Sequence, residues 1–98
     1  MLDIFKKFGA FNMVILVATR NGYEELKSVI FSGLYPVWFG AEVLSEEEID
    51  SIRTLGIDLT DFSYTINIQD VNEIEGAVET IREHHPGHKV WVEWLPNI

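Results

Sequence analysis

The sequence predicts an α/β fold: a single compact domain over residues 1–98, in the order β-α-β-α-β-α-β, with a mainly parallel four-stranded sheet and three helices. Helix-start signatures recur at Asn21, Ser45 and Asp70, where a capping residue is followed three positions later by glutamate. Each signature follows a short run of strand-forming residues. Strands and helices therefore alternate, which implies parallel strands joined by right-handed crossovers.

The first two strand–helix units are predicted over residues 13–56. Residues 13–18 are apolar at every position, which is typical of a strand covered on both faces. The first helix is expected to begin at the Asn21 cap and to end near a glycine, before a short strand at residues 37–39. Ser45 is expected to cap the second helix, and Gly56 suits a left-handed conformation at its end.

The last two units are predicted over residues 62–95. Apolar and polar side chains alternate over residues 62–69, which indicates a half-exposed strand. Asp70 is expected to cap the third helix, which ends before Pro86 because proline cannot continue the hydrogen-bond ladder. Residues 89–95 are predicted to form the fourth strand.

The order of the strands decides which helices share a face of the sheet. In the order 2-1-3-4 the second and third helices lie on the same face, whereas in the order 2-1-4-3 right-handed crossovers separate them. The half-polar third strand favours the second order, and the usual doubly wound arrangement favours the first. We expect the shared face.

Negative charge is concentrated in the second and third units. Residues 42–83 hold twelve acidic residues against Arg53 and Arg82, a balance of −10, while the rest of the chain balances to +1. Acidic residues near helix starts complement the helix dipole, but this explains less well the carboxylates that precede the third strand. We therefore expect an acidic partner-binding surface. Its candidate residues are Glu46, Glu47, Asp50, Asp58, Asp61, Glu75 and Glu79.

Composition argues against several classes of function. The seven Lys and Arg residues form no dense patch, so nucleic-acid binding is not expected. No apolar run reaches the ~18 residues of a membrane span. The absence of cysteine excludes disulfides, thiolate metal sites and cysteine nucleophiles, and it fits a cytoplasmic protein. The chain start is expected to be a short amphipathic lead and not a secretory signal, because Asp3 and Asn12 interrupt the signal pattern.

A small-ligand site is a second hypothesis, because open parallel sheets bind ligands beyond the carboxyl ends of their strands. Arg20 beside a helix N-terminus is suited to a small anion. The turn lacks G-x-G-x-x-G and G-K-[ST], so nucleotide binding has no glycine-rich cradle. The candidate ligand-binding residues are Thr19, Arg20, Asn21, Asn67 and Gln69.

Metal binding, cofactors and catalysis are not expected. His84, His85 and His88 share one turn, but the chain has no other His or Cys, so a metal would need water or a second chain as ligands. No serine lies in a G-x-S-x-G elbow, and the carboxylate pairs fall on predicted outer faces where nothing raises a pKa. No catalytic residue is therefore assigned.

These features favour a non-catalytic domain that presents an acidic helix surface to a basic protein partner, as an inhibitor or immunity protein does. The alternative is a small-molecule or anion-binding regulatory domain that uses the carboxyl ends of the strands. A third hypothesis is a homo-oligomer formed through an exposed edge strand or through Phe5, Phe8 and Phe11 of the lead.

Overall fold

The computed structural model describes residues 12–93, in which strands and helices alternate as predicted. The strands are β1 (Met13–Val17), β2 (Val37–Phe39), β3 (Leu59–Asp61) and β4 (Lys89–Val92), and the helices are α1 (Arg20–Phe31), α2 (Glu46–Thr54) and α3 (Val71–His84). The α/β class is confirmed. The lead at residues 1–11 and the predicted strand positions 94 and 95 lie outside the described residues.

The sheet has the order β3-β2-β1-β4, and all three strand pairings are parallel. Both strand orders considered from the sequence are therefore wrong. Each of them placed the second strand at an edge, whereas all three residues of β2 are buried and the strand lies between β1 and β3. An apolar strand gains most from burial when it has neighbours on both sides.

The helices divide between the two faces of the sheet. The connections from β1 to β2 and from β2 to β3 step in one direction, so right-handed crossovers place α1 and α2 on the same face. The step from β3 to β4 runs in the opposite direction and places α3 on the other face. The two apolar cores show the same division of the helices. One contains Ile15, Val17, Ile30 and Ile52, and the other contains Val14, Leu16, Ala77 and Ile81. The expected shared face of the two acidic helices is wrong.

The helix starts follow the predicted signatures in two of three units. At α2, Ser45 and Glu48 form the complete capping box. At α3, the Asp70 side chain accepts from the first turn, but the Glu73 carboxylate accepts instead from the Asn67 N–H, at 3.0 Å. The predicted Asn21 cap is wrong. Thr19 is the N-cap of α1, because its backbone is extended and its hydroxyl accepts from the Gly22 N–H at 3.0 Å.

The third strand begins earlier than its sequence pattern predicts. β3 covers only Leu59–Asp61, because it pairs residue for residue with the three residues of β2. The alternating segment that follows is irregular, and it buries Phe62 and Ile66 in the core beneath α3. Its backbone is held by the Ala41 N–H, which donates to the Tyr64 carbonyl at 3.0 Å. The alternation reflected two anchoring side chains in a loop and not a strand.

Trp38 of β2 makes a polar contact in the core beneath α3. Its side chain is only 5% exposed, and its indole N–H donates to Nε2 of His85 at 3.2 Å. The rings of His84 and Phe62 pack against the same indole, with centroids 5.3 and 5.2 Å away. The histidine turn at the end of α3 therefore has a structural contact with the sheet. Within residues 12–93, no helix is both long enough and apolar enough to cross a membrane.

Replacing His85 tests this contact. His85→Leu leaves the buried indole N–H of Trp38 without an acceptor, so we expect a loss of about 1–3 kcal/mol in the free energy of unfolding. His85→Gln retains an acceptor and should lose clearly less. Urea denaturation of the two variants beside Glu83→Gln, an exposed neighbour, provides the measurement. Equal losses for the leucine and glutamine variants would contradict a role for the hydrogen bond.

Candidate functional site

Three of the predicted partner-binding carboxylates lie together on α2. The helix buries Ile52 against the sheet, while Glu46, Glu47 and Asp50 are exposed. Residues three or four positions apart are neighbours on a helix surface, so Asp50 adjoins both glutamates. We call these three residues the α2 acidic surface.

Asp58 and Asp61 flank the edge strand beside α2. Asp58 is exposed in the connection that leads into β3. Asp61 ends β3, and its carboxylate lies 3.3 Å from Nη2 of Arg53, which also donates to the Leu59 carbonyl at 3.2 Å. Arg53 thereby joins α2 to β3 and partly neutralises Asp61. Asp58 takes part in none of the four ion pairs found within residues 12–93.

Glu75 and Glu79 are exposed on α3, across the sheet from α2. The seven predicted carboxylates therefore do not form one surface. Five belong to α2 and the β3 edge, and two belong to the opposite face of the molecule. The separation follows from the reversal of the third crossover.

Arg20, which is predicted to bind a small anion, forms ion pairs with two carboxylates of the same chain. Its guanidinium makes two parallel hydrogen bonds with the Glu48 carboxylate, at 2.7 and 2.8 Å, and lies 3.3 Å from Glu24. The hydrogen bonds from Arg20 and from the Ser45 N–H lower the pKa of Glu48 from 4.5 to about 2. The pKa of Arg20 is raised in return, chiefly by the same contact with Glu48. The ion pair joins α1 to the capping box of α2.

Glu93 is a site residue that the sequence analysis did not identify. Glu93 directly follows β4 and is only 5% exposed. Its carboxylate accepts hydrogen bonds from the Ala18 N–H, from the Thr19 N–H at 2.7 Å and from the Thr19 hydroxyl at 2.5 Å. A methyl group at Gly22 would overlap this carboxylate. The signal in the sequence was weak: one acidic residue at the end of an apolar strand.

The Glu93 carboxylate lies where an open α/β sheet usually binds a ligand. The carboxyl ends of β1 and β4 meet at the point where the strand order reverses. The start of α1 offers N–H donors at this point, as helix N-termini do for phosphates and carboxylates. In this protein the carboxylate bound at this point is that of Glu93, a residue of the chain itself.

The other predicted ligand-binding residues are engaged locally or lie apart. Asn21 is exposed in the first turn of α1. The Asn67 side chain accepts from the Gln69 N–H at 3.0 Å, which shapes the loop before α3. Within residues 12–93, no hydrogen bond or ion pair joins residues 67–69 to residues 19–21. The part of the chain described also has no group of three or more His, Asp or Glu side chains arranged to hold a metal ion.

Comparison of the chain with protein-family models, with curated proteins and with solved structures found no match.

A double-mutant cycle tests the placement of Glu93. Gly22→Ala alone should destabilise the fold, because the added methyl group overlaps the Glu93 carboxylate. In a Glu93→Ala background the methyl group has room, and the same change should stabilise the protein by about 0.5–1 kcal/mol, since alanine is favoured over glycine in a helix. Chemical denaturation of the four proteins measures the reversal. The same sign in both backgrounds would contradict this geometry.

The Glu48 ion pair predicts a pH dependence of stability. Because the folded-state pKa of Glu48 is lowered, its stabilising contribution is present above pH 4.5 and is lost as the pH falls toward about 2. The difference in melting temperature between wild type and Glu48→Gln should shrink over that interval.

Carboxyl-detected NMR titration should also show the pKa of Glu48 rising toward 4.5 in Arg20→Gln. Lys27→Gln is the matched control, because Lys27 pairs with Glu24; an equal rise in that variant would refute the assignment.

Proposed function

We propose that this domain is a non-catalytic binding protein that recognises a basic protein partner through the α2 acidic surface, extended by Asp58. The supporting observation is that these carboxylates are not neutralised by ion pairs within the described residues. None of the four residues takes part in the ion pairs of the described residues, whereas Arg20, Lys27 and Arg53 are each paired with other carboxylates. This side of the molecule therefore presents negative charge that its own cations do not neutralise.

The physical consequence of such a surface is mainly kinetic. One exposed ion pair contributes only about 0.2–1 kcal/mol, so several must act together to hold a partner. A cluster of one sign also attracts a basic partner before contact, which raises the association rate and makes it sensitive to salt. An inhibitor or immunity-type protein that covers a cationic active site needs both properties. As part of this proposal we place the protein in the cytoplasm, which its lack of cysteine fits.

The structure gives less support to small-molecule binding at the carboxyl edge of the sheet. The Thr19 hydroxyl and N–H already bind Glu93, and the Arg20 guanidinium already binds Glu48. The loop after β3 also lies close to this edge, since a side chain at Gly40 would be in van der Waals contact with Ile66 and Ala18. An anion entering here would have to displace internal carboxylates.

Neutralising the α2 acidic surface tests the proposal. The variant Glu46→Gln/Glu47→Gln/Asp50→Asn keeps side-chain size and removes three charges, so it should bind basic proteins at least about tenfold more weakly. The matched control Glu75→Gln/Glu79→Gln/Glu83→Gln removes three charges from α3 and should change binding less than about threefold. Immobilised domains are compared for the basic proteins they retain from a cell lysate, with circular dichroism to confirm folding.

Salt in the same retention assay and small anions in a thermal-shift assay distinguish the hypotheses. Retention by the wild-type domain should fall steeply between about 50 mM and about 500 mM salt. Retention that is indifferent to salt, or that both triple variants reduce equally, would contradict the proposal. A thermal shift caused by a small anion and abolished in Arg20→Ala would favour the ligand-binding alternative instead.

A further inference from the structure

β4 is an outer strand of the described sheet, and half of its backbone groups point away from the molecule. The N–H groups of Lys89 and Glu93 donate to the carbonyls of Asn12, just before β1, and of Leu16 within it. Bonding directions alternate along a strand, so the N–H and C=O groups of Val90 and Val92 point outward from the sheet. Within residues 12–93, β4 pairs with β1 alone.

The face of β4 on the α1 side carries an exposed tryptophan. Trp91 lies opposite Ile15 in the pairing of β4 with β1, and Ile15 is buried in the core beneath α1. Trp91 is 41% exposed, whereas Val90 and Val92 pack into the core beneath α3. A large aromatic side chain beside unpaired backbone groups is typical of a strand that receives a partner strand.

The opposite edge of the sheet is shorter than β4 and carries more charge. β3 has only three residues and is flanked by the exposed carboxylates of Asp58 and Asp61. Short length and inserted charge are the usual means by which proteins prevent pairing at an edge strand. β4 has one charged residue, the exposed Lys89 at its start, and its other three residues are apolar.

We propose that two copies of this chain associate through antiparallel pairing of their β4 strands about a twofold axis at Trp91. The segment Val90-Trp91-Val92 has the same sequence in both directions, so this register places Val90 of one copy opposite Val92 of the other. The outward groups of these valines then form two reciprocal pairs of backbone hydrogen bonds. Trp91 meets Trp91 of the second copy at a non-hydrogen-bonded position, where opposed side chains are closest.

The self-complementary register supports a second copy as the occupant. Antiparallel pairing also places the two α3 helices antiparallel on one face, because α3 runs opposite to β4. The amino-terminal half of α3, with Glu73 and Glu75, is then directed toward the carboxyl-terminal half of the other copy, where Arg82 and His84 stand beside Glu79 and Glu83. The acidic edge at β3 lies at the far side of the sheet in each copy, so repulsion between the two net charges of −9 is kept low.

The dimer and the acidic partner surface are separate proposals with opposite dependence on salt. Screening weakens the attraction of the α2 acidic surface for a basic partner, but it reduces the repulsion between two acidic copies. Failure of either proposal therefore leaves the other testable.

Sedimentation equilibrium over a roughly hundredfold range of concentration tests the dimer. The wild-type chain should be dimeric at high concentration, and Trp91→Arg should raise the dimer dissociation constant at least about tenfold. The control Leu55→Arg alters a residue that is 65% exposed at the end of α2, and it should leave the dissociation constant unchanged. A wild-type chain that is monomeric throughout, or a Trp91→Arg variant as dimeric as wild type, would overturn the proposal.

A cross-linking experiment tests the register. The chain has no cysteine, so a single introduced thiol reports one position without interference. Non-hydrogen-bonded antiparallel pairs have Cα atoms about 4.5 Å apart, within the range for a disulfide. Under mild oxidation Trp91→Cys should form a disulfide-linked dimer at least about tenfold faster than Leu55→Cys. Equal rates would overturn the twofold register.

Discussion

Burial of β1 on both faces is the constraint on which the rest of this structure depends. Its side chains from residue 14 to residue 17 are at most 1% exposed, and they alternate between the two cores. A strand of this kind needs helices on both sides of the sheet. Right-handed connections satisfy that need here because the third crossover reverses direction. The separation of α2 from α3 and the outer positions of β3 and β4 follow from it.

Carboxylates have three distinct roles in this molecule, and their surroundings decide which. Glu93 is an internal anion, buried against the first turn of α1 and bonded to Thr19. Glu48 both caps α2 and binds Arg20, so it joins two helices on one face of the sheet. The α2 acidic surface is exposed and takes part in no ion pair of the described residues. Of these three groups, the α2 acidic surface is the one that is both exposed and unpaired within the described residues, and for that reason we base the proposed function on it.

Local patterns in the sequence were accurate where one turn of chain decides the outcome. The Ser45 capping box and the Asp70 cap were predicted correctly, and Gly56 adopts the expected left-handed conformation with a φ of 83°. The Asn21 cap was wrong, because Thr19 can make the same hydrogen bond two residues earlier and its extended backbone continues from β1. The third strand was placed too late, since an alternating loop with two buried anchors has the same pattern as a half-exposed strand.

The sequence by itself determined the α/β class, the alternation of elements, two of the three helix starts and the amount of negative charge. The charge follows from composition, and the others depend on side chains within a turn or a strand of one another. Tertiary structure alone decided the strand order, the division of the acidic helices and the partners of Arg20 and Glu93. Those contacts join residues 28 and 74 positions apart, so they exist only once the strands have been ordered around β1. No local pattern in the chain encodes that order, because it results from the most favourable burial of all four strands together.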